Sequence, residues 1–230
     1  LGANYFGVAD LSDATVKKFI EQQGGPEFTN YPKAVSIGIS LPNTIIDRLP
    51  NRSIEDEEDA ILIDYITHSY NIINDRLDQI TSIVSNHIQN KGYSSYPILS
   101  SKIVDYEKLK GSFSHKLTAH LAGLGWIGKS CLLITPKDGP RVRWSTVLTD
   151  APLKTTGKPM EVRCGDCNDC VDICPANAFT GRNFYDNEPR DKRYNAAKCD
   201  EVITMKYKPY RICGLCLYAC PYGKGNNHKK

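Results

Sequence analysis

Apolar and polar positions fall into recognisable registers through the first two thirds of the chain. Ser12-Asp13 followed by Val16, Phe19 and Ile20 reads as a capped helix, ended by Gly24-Gly25-Pro26. Residues 33–41 interleave apolar and small side chains in the manner of a strand, and Pro42 stops it. From Glu55 to about Asn90 apolar residues recur at helical spacing, through Ile61/Leu62, Tyr65/Ile66, Ile72/Ile73, Leu77, Ile80, Ile83/Val84 and Ile88. The acidic run 55–59 sits at the start of that helix, where the dipole favours negative charge. An exposed first turn is its plain reading, and a docking patch for a basic partner the sharper one. A strand over 93–99, a helix over 114–124 and strands over 131–135 and 142–149 follow. A long helix among several strands predicts an α/β or α+β core.

Composition adds one feature that periodicity does not show. The 230 residues carry 29 basic and 26 acidic side chains, a formal charge of +3 that is too balanced to demand nucleic acid. No apolar run is long enough for a membrane span and nothing at the start reads as a signal peptide, so a cytoplasmic protein is expected. Nine cysteines are distributed very unevenly. Cys131 lies alone in an apolar run and reads as a buried structural thiol, while the other eight all follow residue 163. That shift, just after the loop Lys154-Thr-Thr-Gly-Lys-Pro159, divides the chain into domains 1–160 and 161–230.

The late cysteines have informative spacing. Cys164-x2-Cys167-x2-Cys170-x3-Cys174-Pro175 is the pattern of bacterial two-cluster ferredoxins, in which the fourth cysteine serves the other cluster. A second copy, Cys213-x2-Cys216-x3-Cys220-Pro221, has Tyr210 where its leading cysteine would fall, and Cys199 is the natural replacement. One [4Fe–4S] cluster is therefore assigned to Cys164, Cys167, Cys170 and Cys220, and a second to Cys174, Cys199, Cys213 and Cys216. Two rivals fit poorly. Zinc wants two cysteine pairs in a compact tetrahedron, and disulfide frameworks belong to small secreted chains. Two cubes side by side form an electron relay. Lys206, Lys208 and Arg211 are the nearby cations available to offset the negative second cluster, with a solvated basic face as the alternative.

His120-Leu-Ala-Gly-Leu-Gly-Trp-Ile-Gly-Lys129, Leu132-Leu-Ile-Thr-Pro136, Gly139-Pro-Arg-Val-Arg143 and Val147-Leu-Thr-Asp-Ala-Pro-Leu153 run in that order into the cysteine motifs. The series resembles the epoxyqueuosine reductases and the corrinoid-dependent reductive dehalogenases. The resemblance is sharp over 115–221, and Gly2-Ala-Asn-Tyr-Phe-Gly-Val-Ala9 looks like the families' opening strand. It implies an α+β protein, in which a flavin-reductase-like α/β cobalamin-binding domain precedes a two-[4Fe–4S] ferredoxin-like domain. In those families electrons pass through the cubes to cobalt, which reduces the substrate. Carried over, Gly123, Leu124, Gly125, Trp126, Gly128 and Lys129 would approach the corrin, and Arg141 and Arg143 would hold its phosphate or amides. A left-handed helix cap is the competing account of Gly123 and Gly125.

The resemblance has gaps as well. Epoxyqueuosine reductases carry a catalytic Asp upstream of the glycine segment. Ungapped counting puts Lys108 there, and the nearest acid is Asp105. Tyr93, Tyr96 and His115 are further proton donors by residue type. Those reductases also have a C-terminal helical-repeat region that grips tRNA, whereas this sequence ends ten residues after Cys220, so tRNA is not an expected partner. The expected function is an oxygen-sensitive iron–sulfur, corrinoid-dependent reductase. It would be fed by a low-potential donor such as ferredoxin or flavodoxin and act on a small-molecule substrate. The alternative is an electron-transfer or reductive-activation protein that docks a corrinoid protein without binding a corrinoid itself, and a true epoxyqueuosine reductase is the third reading.

Overall fold

The computed structural model describes residues 2–22, 25–53, 59–185 and 188–224. Strands β1 (Tyr5–Asp10), β2 (Lys33–Ser40), β3 (Ser95–Ile98) and β6 (Val142–Thr149) form one sheet in the order β1-β2-β6-β3. A short ladder pairs β4 (Trp126–Ile127) with β5 (Leu133–Ile134). The β1–β2 pair is antiparallel, with Tyr5 opposite Gly38 and Asp10 opposite Lys33. Lys33 donates to the Asp10 carboxylate at 2.7 Å and, with the Ser12 bonds, holds that carboxyl down at about 2. Strand β3 runs antiparallel to β6 at the sheet edge, the position where Pro97 removes no ladder bond that a neighbour needs.

The helical registers fold as read. Helix α1 (Ala14–Gln22) begins where the Asp13 side chain accepts from Thr15 and Val16 amides. Its predicted Gly24 stop lies outside the described residues. After the single turn α2 (Asn43–Ile46), one helical run covers α3 (Ala60–Ile66), a π-turn (Thr67–Asn71) and α4 (Ile72–Gln89). Of the acidic run 55–59 only Asp59 is described, and it is the N-cap, accepting from the Leu62 amide at 2.9 Å. Helix α5 (His115–Leu121) follows β3, and the last third holds α6 (Asp169–Asp172), α7 (Ala196–Lys206) and α8 (Leu215–Ala219). Among the described residues no helix is long and apolar enough to cross a membrane.

The chain forms two compact units, and it crosses between them repeatedly. The first comprises Leu1–Ser40, Asn74–Trp126 and Arg143–Glu161; the second comprises Leu41–Ile73, Ile127–Val142 and Val162–Lys230. The last crossing falls at 161/162. Two earlier segments join the cysteine-rich part, and no change of composition marks either. The first unit has its own apolar core, in which Leu11, Ile20, Phe28, Ile98, Leu117 and Leu148 pack together. In the second unit Arg141 is buried, donating to Asn43 at 3.0 Å and Asp47 at 2.7 Å, while Leu41 donates to its carbonyl. Segment 41–47 is thereby tied to the stretch before β6.

Candidate metal centre

The second unit gathers the eight late cysteines into two cups. In the first, Cys164, Cys167 and Cys170 come from one tight loop, in which the Cys167 amide donates to the Cys164 carbonyl at 3.0 Å. Together with Cys220, which follows α8, they line a single cavity with Gly128, Lys129, Ile134 and Tyr222. A Cβ at Gly128 would stand 2.8 Å from Ile134 and 3.4 Å from the Cys164 sulfur, so the backbone itself forms the wall there. The turn over 135–139 lies against the backbone just past Cys220-Pro221. A Cβ at Gly139, where φ is +56°, would overlap the Tyr222 carbonyl. That backbone contact fixes the segment that delivers Cys220. Lys129 is buried on the same wall and donates to Asn168 at 3.0 Å.

The second cup is drawn from Cys174, Cys199 on α7, Cys213 and Cys216 on α8. Cys199 feels the charge of Cys174 and Cys213, and Cys216 that of Cys213, Cys199 and Cys174, then of Cys170 from the first cup. Hydrogen bonds converge on these sulfurs. The Ala178 amide donates to Cys174 at 3.5 Å, Tyr194 is bonded to Cys199, and both Tyr207 and Arg52 are bonded to Cys213.

Burial and the thiols of the same cup push Cys170 up to about 11 and Cys220 up to about 12. Burial raises Cys199 and Cys216 as well, opposed at Cys199 by the Tyr194 hydrogen bond and reinforced at both by repulsion from nearby thiols. Thiols packed this way ionise together only around positive charge, which iron supplies. The donor set fits two iron–sulfur cubes.

The other residues picked from the sequence are engaged locally. Gly123, at φ +77°, ends α5 in a left-handed cap: its amide donates to His120 and that of Leu124 to Ala119. A Cβ on it would lie 2.9 Å from the Lys158 backbone. Leu124 packs on the first unit's core, and the Gly125 carbonyl accepts from His120 Nδ1 at 3.0 Å. Trp126 is fully buried, Arg141 is committed to Asn43 and Asp47, and Arg143 is half-buried in β6. Caps, core packing and ion pairs engage these side chains. Gly128 and Lys129 also line the first thiol cup.

The proton-donor candidates are likewise dispersed. Asp105 accepts from the Lys108 amide and closes a turn with Lys110, and the Tyr96 ring packs on Phe28 and Tyr31. Tyr93 is exposed. His115 bridges Thr146 and the Leu99 carbonyl, and burial pushes its pKa down to about 4. Cys131 is the expected buried thiol, accepting from Arg193 at 3.4 Å. Of the cations expected at the second cluster, Lys206 and Lys208 are exposed, and Arg211 pairs with Asp200 at 3.1 Å. The cation on that cup is Arg52, which no motif marks.

Residues 163–223 match the 4Fe-4S double cluster binding domain. The epoxyqueuosine reductase of Bacillus cereus is 32% identical over 133 residues, covering 51% of this chain and 32% of that protein. An epoxyqueuosine reductase solved with a tRNA-Tyr epoxyqueuosine-modified stem loop overlaps 97% of this chain and 62% of its own, with TM-score 0.60 and 19% identity. A reductive dehalogenase whose structure bears on B12-dependent dehalogenation overlaps 98% of this chain and 30% of its own, with TM-score 0.69 and 20% identity. The chain thus spans about a third of the length of the curated relatives it matches. It is a mixed α/β protein carrying a double-cluster iron–sulfur domain. More particularly, about half of it is similar in sequence to epoxyqueuosine reductases, and its fold is similar to those of an epoxyqueuosine reductase and a reductive dehalogenase.

Proposed function

We propose that this chain is the electron-relay part of an iron–sulfur reductase. One cube is held by Cys164, Cys167, Cys170 and Cys220, the other by Cys174, Cys199, Cys213 and Cys216. The observation that carries this is the crossing of ligands between the two sequence motifs: Cys220 lines the cavity of the first run, and Cys174 neighbours the thiols of the second. A low-potential one-electron donor such as ferredoxin or flavodoxin would feed the pair. When bound, the cubes supply single-electron storage. The chain supplies thiolates, sulfur hydrogen bonds and two cations, Lys129 and Arg52.

A corrinoid is the acceptor implied by the resemblance, with the first unit as its flavin-reductase-like domain and a small molecule as substrate. The residues that the resemblance assigns to it also serve caps, core packing and ion pairs. The same observation favours a second reading, an electron-transfer or activating protein whose partner carries the corrinoid. A relative solved on a tRNA stem loop also returns tRNA to the candidate substrates, against the expectation from sequence.

The test is anaerobic production with added cobalamin, quantifying iron, sulfide and cobalt beside the EPR spectrum. Two cubes' worth of iron and sulfide is the expected result, and a protein loading a single ion or none would overturn the relay. Stoichiometric cobalt would select the corrinoid reductase, and its absence the electron-transfer protein.

A further inference from the structure

This inference rests on the two-cube reading above. A cube with four thiolates is negatively charged, and each electron it accepts adds to that charge. Low-dielectric surroundings penalise the reduced form. The second cup is partly such a place: Cys174 and Tyr207 are buried, and Cys199, Cys213 and Cys216 are half-buried. The first cup has Lys129 on its wall. The second needs a cation of its own, and the basic residues of its own sequence neighbourhood are exposed or paired away from it.

Arg52 meets that need from far upstream. Its Nη2 donates to the Cys213 sulfur at 3.5 Å and to the Tyr207 hydroxyl at 2.7 Å, and its Nη1 donates to the Leu49 carbonyl at 2.7 Å. The guanidinium lies 4.5 Å over the Tyr207 ring, and the Tyr207 hydroxyl is itself bonded to Cys213. Tyr207 thus both braces the arginine and continues its hydrogen bonding to the sulfur. The turn presenting Arg52 is anchored too. Leu49 is fully buried, and a Cβ on Gly214, between Cys213 and Cys216, would come within 2.8 Å of Leu49 and Tyr65. A planar fork can serve sulfur, hydroxyl and carbonyl together, which an ammonium cannot do from one position.

We propose that Arg52 is the positioned charge that sets the reduction potential of the second cluster, hydrogen-bonded to Cys213 and braced by Tyr207. Hydrogen bonds and positive charge at cluster sulfurs favour the reduced form. Reduction adds one electron from a low-potential one-electron donor; every iron–thiolate bond is kept and no proton is required. Arg52 therefore keeps a buried cube reducible by a donor that the same cube without it would outmatch.

The experiment is an EPR-monitored redox titration of the full chain with both cubes loaded. Arg52→Met is expected to shift the reduction equilibrium of one cluster about tenfold toward the oxidised form, about 59 mV for one electron, and to leave the other in place. Arg52→Lys should fall between, and Tyr207→Phe should move the same cluster in the same direction by less. Unchanged midpoints in both Arg52→Met and Tyr207→Phe, or both clusters moving together, would overturn the assignment. If Arg52→Met fails to load its second cube, Arg52→Lys and Tyr207→Phe carry the measurement. A wild-type chain holding fewer than two cubes would defeat the cluster reading itself, and iron and sulfide content reveals this before any titration.

Discussion

The two units treat their chemically able side chains in opposite ways. In the second, residues far apart in sequence meet on shared sulfurs: Gly128 and Cys220 with the 164–170 loop, Arg52 and Cys174 with Cys213 and Cys216. In the first, each able residue is engaged apart from the others. His115 ties α5 to Leu99 and Thr146, Asp105 closes a turn, Tyr96 fills an aromatic cluster and Gly123 ends a helix. A residue type suited to catalysis is therefore weak evidence until other groups converge on the same point. Convergence separates a site from a set of satisfied side chains.

The largest expected effect comes from the crossed ligands. Cys174→Ser should cost the same cube as Cys213→Ser, although residue 174 sits in the first motif, and Cys220→Ser should cost the same cube as Cys164→Ser. Iron content would fall by half in each variant, and the surviving EPR signals should sort them into those two pairs. Sorting by sequence proximity, with Cys174→Ser matching Cys164→Ser, would sink the assignment. A smaller effect compares two glycines. Gly139→Ala and Gly123→Ala each place a Cβ at positive φ against backbone, a burden of about 3–5 kcal/mol and a fall in Tm of roughly 10 °C. Only Gly139→Ala should also shed iron, from the cube bearing Cys220. Equal iron retention in the two variants would mean that the 135–139 turn does not position that ligand.

The same contrast explains what could be read from the sequence. The double-cluster domain was legible because its cysteine spacing is short and repeated, so local geometry alone brings three thiols into one loop. The helical run over 60–89 and strands β2, β3 and β6 were legible because their apolar periods are regular. Nothing marked segments 41–73 and 127–142 as companions of the cysteine region, since their composition matches that of the rest. Arg52 had no signal for a related reason: its partners, Tyr207 and Cys213, lie more than 150 residues away. In the glycine-rich segment a cap at Gly123 and a close wall at Gly128 satisfy two different structural demands in adjacent turns.

The smallest effect tests the first unit's side of the comparison. The Leu99 carbonyl can only accept, so His115 Nε2 carries the proton and Nδ1 accepts from Thr146. Burial depresses the folded pKa to about 4 from the usual 6.5, opposed by the Leu99 bond and the charge of Asp78 and reinforced by Lys116. Between those values the unfolded chain binds more protons than the folded one. The neutral histidine's contribution is thus complete above about pH 6.5 and is lost as pH falls toward about 4, amounting to about 1–3 kcal/mol. His115→Gln keeps a polar bridge without the titration. Anaerobic melting of both proteins from pH 7 to pH 5 should show the wild type losing stability the faster, with cluster content the same in each. Parallel slopes would mean that His115 is not buried neutral. A variant of unchanged slope but lost reductase turnover would instead return it to chemistry, and the two units would no longer differ as they do here.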